Sequence, residues 1–205
     1  MAIAQPLVFE ASAQDEEMAR ADLYGTLASL FCAPPPPDLL KRIASSELEG
    51  NGLLDAAWGA VIESVKTIDA ESAREEYERL FIGVGKPEVM LYGSYYMSGF
   101  LMEKPLVILR TDLANLGLQR TDTVVESEDH IATLCEVMRY LITSDDALLS
   151  GLQVQKKFFA DHLQPWVNTL FATLEARSDA VFYAPLAHFA QVFFEIEMQA
   201  FDMFE

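Results

Sequence analysis

The chain has 205 residues, 51% of them hydrophobic, with ten glycines and nine prolines. That is enough apolar material for a sizeable core; it excludes an intrinsically disordered chain and disfavours a turn-rich β architecture. With 32 acidic and 14 basic side chains the net charge is −18, which repels nucleic-acid phosphates and anionic membrane surfaces and attracts basic polypeptides.

Residues 1–13 read as a flexible leader, and with no basic residue before Arg20 no secretory or twin-arginine signal is expected. A helix is predicted over 14–31, carried by Met18, Leu23, Leu27, Leu30 and Phe31 and stopped by the Pro34 to Pro37 run. A short helix starts at Asp38 with Leu39, Leu40 and Ile43 inward, and Gly50-Asn51-Gly52 breaks the chain. Helices follow over 53–67 and 70–81, the second closed by Gly83.

The stretch 83–99 is the least regular, yet it holds Met90, Leu91, Tyr92, Tyr95, Tyr96 and Met97, so it reads as a functional loop that packs on something. Tyr92, Tyr95 and Tyr96 suit recognition there, because tyrosine offers an apolar face and a polar tip. Pro105 opens a helix that ends at Gly117, and 118–126 link it onward.

Glu126-Ser127-Glu128-Asp129-His130 then begins a strongly amphipathic helix, with Ile131, Leu134, Cys135, Met138, Leu141 and Ile142 on one face. Ser127 is the expected N-cap, which would leave Asp129 and His130 exposed at the helix mouth, placed to recognise something basic. Three more helices are predicted over 146–162, 165–177 and 179–204. The expected fold is an all-α, single-domain helical bundle spanning 14–205.

No uncharged run reaches the roughly 18–20 residues of a membrane span, so no stable membrane insertion is expected. Cys32 and Cys135 lie far apart on apolar helical patterns and read as buried thiols in a reducing, cytoplasmic setting. His130, His162 and His188 show no metal-ligand spacing, so no metal and no cofactor are expected. Gly83-Val84-Gly85-Lys86 suggests a phosphate loop, but Pro87 stands where Ser or Thr is required. Asp129 and His130 point about 100° apart on a helix, and no nucleophile motif accompanies them, so no catalytic residue is assigned.

Four segments, in order, resemble the TorD/DmsD family of cytoplasmic chaperones for redox enzymes. Glu126-x-x-Asp129-His130 is similar to that family's E-P-x-D-H signature, and Tyr77-x-x-Leu80-Phe81-x-Gly83 to its Y-x-x-L-F-x-G. Gly93-Ser94-Tyr95-Tyr96 resembles a G-S-x-Y turn; Phe158-Phe159, His162-Leu163-x-Pro165-Trp166 and Phe182-Tyr183 complete the set. The departures are Leu91-Tyr92 before Gly-Ser, where the family often has Pro-Trp, and Ser127 in place of proline.

The resemblance implies an all-helical chaperone that is not an enzyme. Its partner would be the precursor of a molybdenum or tungsten iron–sulfur oxidoreductase, held by its N-terminal (twin-arginine) signal segment until the cofactor is inserted. It assigns peptide contact to Tyr24, Leu91, Tyr92, Gly93, Ser94, Glu126, Asp129 and His130. A helical nucleotide hydrolase and a non-catalytic oligomerisation module are the alternative readings, and monomer and homodimer are both compatible with the sequence.

Overall fold

The computed structural model describes residues 13–48, 50–120 and 126–203, and among these it contains ten α-helices and no strand. Nearly all of the predicted leader therefore lies outside the described residues. The first helix, α1 (Ala13–Cys32), ends where the proline run begins, and α2 (Pro37–Ala44) starts on its last proline, whose missing N–H costs nothing at a first turn. α3 (Leu53–Thr67) is anchored by Asp55, which accepts from the N–H groups of Gly50 and Gly52.

α4 (Ala70–Tyr77) is capped by Asp69, which accepts from Ser72 N–H, and runs on into a π-helical turn over Glu78–Ile82. Gly83 ends that turn at φ +63, and a Cβ there would sit 2.3 Å from the Lys86 carbonyl oxygen, so only glycine fits. The irregular stretch is shorter than the sequence suggested, because Gly93–Ser98 forms helix α5. α6 (Lys104–Asn115), α7 (Ile131–Thr143), α8 (Leu152–His162), α9 (Val167–Glu175) and α10 (Tyr183–Met203) complete the bundle.

α1 lies against α7, and α10 lies against α3 and α9, so one apolar core runs through the molecule. Every periodic position expected on α7 is buried, from Ile131 to Ile142. The interior is notably aromatic: Tyr24, Phe31, Phe171, Phe182, Tyr183, Phe193 and Phe194 are fully enclosed and meet in edge-to-face and tilted pairs. Of the two cysteines, Cys135 is buried as expected. Cys32 is exposed, because it occupies the last turn of α1 beside the prolines.

Two polar ties cross this core. Glu76 is buried and accepts from the N–H groups of Val181, Phe182 and Tyr183, satisfying the free donors at the N-terminal end of α10. Glu197 of α10 receives Nε and Nη2 of Arg20 at 2.7 and 2.8 Å, and the Tyr24 hydroxyl at 2.9 Å. The bidentate guanidinium–carboxylate pair is what permits a buried charge here.

Candidate functional site

Two chain segments far apart in sequence form the site. Leu91 to Gly93 and Asp129 to Ile131 run antiparallel for one bridge, with Gly93 N–H donating to the Asp129 carbonyl (2.9 Å) and Ile131 N–H to the Leu91 carbonyl (2.8 Å). The Asp129 carboxylate then accepts from Ser94 N–H at 2.8 Å, at the start of α5, and from the Ser127 hydroxyl at 2.5 Å. Tyr92 meets the His130 ring edge to face at 5.0 Å, and its hydroxyl bonds the Glu126 carboxylate. Desolvation, with the nearby Glu126 charge, holds the Tyr92 phenol well above its usual range.

Seven of the eight residues assigned to peptide contact are thus brought together. Their setting differs from expectation. Asp129 is 4% exposed and His130 3%, and Leu91, Gly93 and Ser94 are also buried. The cause is tertiary: the 91–94 segment packs across the start of α7 and takes its polar groups. The N-cap is likewise His130 and not Ser127, since His130 Nδ1 accepts from Ala132 N–H at 3.1 Å. An Nδ1 that accepts a hydrogen bond carries no proton, and burial lowers the pKa of this imidazole below its ordinary value of 6.5. Tyr24 stands apart from this group, fully buried and committed to Glu197. As the chain stands, Tyr92 and Glu126 are the members of the set that are partly open to solvent.

Gly93 has a second role. A Cβ at this position would lie 2.9 Å from Trp166 Nε1, so the missing side chain admits the indole. Trp166 donates from Nε1 to the His162 carbonyl (2.7 Å) and stacks on Tyr96, whose hydroxyl donates to the Met90 carbonyl. Tyr96 and Trp166 therefore fix α5 to the beginning of α9.

A small cavity of about 60 Å³ opens beside this scaffold, bounded by Ser94, Met97, Ile108, Asp129, Asp161 and His162. Asp129 is thus buried but borders a cleft. Past His162 the cleft continues as a larger cavity of about 380 Å³ between α6 and α8, with Leu116, Val154 and Phe158 on its walls and Asp112 and Asp161 at its edge. His162 Nε2 lies 2.9 Å from Asp112 Oδ2, and burial lowers the His162 pKa. Asp161 is also paired with Lys157, one turn back on α8.

Sequence reasoning missed Asp112 and Asp161, and did not foresee that they gather with His162. Their ligand atoms lie within 4.8 Å of one another, close enough to hold a cation, although no spacing along the chain announced it. In the structure these groups already have partners in one another and in Lys157. The other omission is the corner between α5 and α6, where Met97, Phe100, Leu101, Met102, Val107 and Ile108 are all exposed. The Phe100-Leu101-Met102 triplet, between the irregular stretch and the helix opened by Pro105, was the available signal. Met102 is held at φ +59, and its N–H donates to Ser94 Oγ, so the corner is built with a conformation that L-residues avoid.

The family model for the nitrate reductase delta subunit matches residues 48–172, more than half of the chain. The chain belongs to this family. Within it, the chain is similar to the chaperone protein TorD of Aliivibrio salmonicida, with 25% identity over 200 residues covering 88% of this chain and 93% of that one. It is also 26% identical to the chaperone protein TorD of Vibrio cholerae over 203 residues, covering 89% of this chain and 92% of that one. Among solved structures, a protein from Archaeoglobus fulgidus named for redox enzyme maturation shares the fold. The TM-score is 0.54 at 21% identity, covering 94% of this chain and 98% of the other. The TorD-like, all-helical character of this delta-subunit family member agrees with the motif resemblance.

Proposed function

We propose that this protein is a cytoplasmic chaperone that holds the N-terminal, twin-arginine leader of a molybdenum or tungsten iron–sulfur oxidoreductase while that enzyme folds and acquires its cofactor. It carries out no reaction itself. The relatives named TorD support a maturation role. The observation that carries the peptide-holding part is the apolar corner from Met97 to Ile108, exposed beside a cleft that Asp129 and Asp161 border.

A leader of this type offers arginines and an apolar run. The corner offers apolar surface of the kind that marks interaction sites, and the acidic chain draws in the cationic part. Asp129, His130 and Gly93 act beneath that surface, fixing α5 so that the corner keeps its shape. Among the described residues no helix is long and apolar enough to cross a membrane.

The test is fluorescence anisotropy with a labelled leader peptide carrying paired arginines before a leucine-rich run. Phe100→Asp combined with Met102→Asp replaces two exposed side chains, so the melting temperature should hold while affinity falls at least about tenfold. Unchanged affinity in that variant would defeat the reading.

A further inference from the structure

We infer that the groove between α6 and α8 seats a helical stretch of the partner polypeptide, its apolar side chains on Leu116, Val154 and Phe158 and one arginine on Asp112 and Asp161. This rests on the peptide-holding reading above and adds a second part of the surface to it, with a stated preference for arginine.

The volume comes first. At about 380 Å³ the groove falls within the range of pockets that bury ligand groups, roughly 300–1,000 Å³. Its floor is apolar, and its length follows α8, eleven residues or roughly 16 Å. That matches about three turns of a docked helix, which would present apolar side chains at i, i+3 or i+4, and i+7.

The charge pattern then selects the occupant. The ionisable groups facing the groove are Asp112, Asp161, Lys157 and His162. Burial keeps His162 neutral near pH 7, so two carboxylates face a single ammonium and the groove is one positive charge short. The carboxylates stand close enough for one guanidinium to span them, which suits the planar fork of arginine better than the point charge of lysine. Asn115 and Gln153 on the rim supply further neutral hydrogen-bonding groups. A second copy of the chain is a poor occupant, because two molecules of charge −18 repel each other.

The experiment uses the full chain and two labelled peptides, one with paired arginines before a leucine/alanine helix and one with both arginines replaced by glutamine. Val154→Trp fills the groove from a half-buried position, and Asp161→Asn removes one exposed carboxylate. Circular dichroism and melting check that both variants fold. The expected results are about tenfold weaker binding of the arginine peptide by each variant, and no effect of Asp161→Asn on the glutamine peptide. Wild-type affinity of both variants for the arginine peptide, with Phe100→Asp/Met102→Asp still impaired, overturns the groove and leaves the chaperone reading standing. Failure of the wild-type chain to bind either peptide overturns both. A Val154→Trp variant changed only in oligomeric mass also overturns the proposal, since the groove would then belong to a second copy.

Discussion

Asp129 shows how one side chain joins two parts of the chain. Its carboxylate holds Ser94 N–H and the Ser127 hydroxyl, while its own carbonyl receives Gly93 N–H. Asp129→Ala leaves a buried N–H without a partner, and urea denaturation should register a loss of about 2 kcal/mol. Asp129→Asn keeps an acceptor and should cost less than about half of that. Any loss of leader binding in Asp129→Ala then follows loss of fold at the 91–94 segment, and a peptide-affinity measurement at low temperature, where the variant is folded, separates the two effects.

At the scale of the element, α7 is capped by a histidine that must be neutral to do so. His130 and His162 both have pKa values lowered by burial, so the unfolded chain takes up protons at these sites before the folded chain does. Between their ordinary value near 6.5 and their lowered folded values, the unfolded state binds more protons, and stability therefore falls as pH falls. The histidine contribution is fully present above pH 6.5 and is lost as pH drops through the folded pKa values. His130→Asn retains an N-cap acceptor without the titration, so its unfolding free energy should lose less between pH 6.5 and 5 than that of the wild type. Chemical denaturation at a series of pH values measures this.

The helices themselves were legible because their signals are local. The 53–67 helix has the predicted limits; the proline run follows the end of α1, Gly83 closes the π-helical turn that continues α4, and Gly117 follows the end of α6. The cap of α7 was not legible: Ser127 has the right chemistry, but Asp129 draws its hydroxyl away in order to meet α5. The same holds for Asp112 and His162, fifty positions apart, whose encounter depends on how α6 and α8 are placed. Motif resemblance found the residues that gather at 91–94 and 126–130, but it gave no indication that most of them are buried.

Over the whole molecule, the charge of −18 carries the proposed function to a testable consequence for how a basic partner would arrive. Attraction of an arginine-bearing leader is long-ranged and screened by salt, so raising the ionic strength from about 50 to 500 mM should slow association with the arginine peptide far more than with its glutamine counterpart. Stopped-flow fluorescence reads this directly, and equal salt dependence for the two peptides would count against electrostatic capture. Apolar contact at the α5–α6 corner should persist in high salt, leaving a residual affinity common to both peptides.

The carboxylate of Glu197 is separated from Arg20 by 177 positions, yet together with Glu17 on the same helix as Arg20 it neutralises that guanidinium where α1 meets α10. Synthesis therefore delivers the first helix and Glu17 long before Glu197. A nascent chain halted ahead of Glu197 leaves Arg20 with Glu17 of its own helix and the Tyr24 hydroxyl without its acceptor. The polar tie of α1 to α10 is therefore completed only by the last helix of the chain, whereas the apolar packing of α1 on α7 needs no residue beyond Thr143.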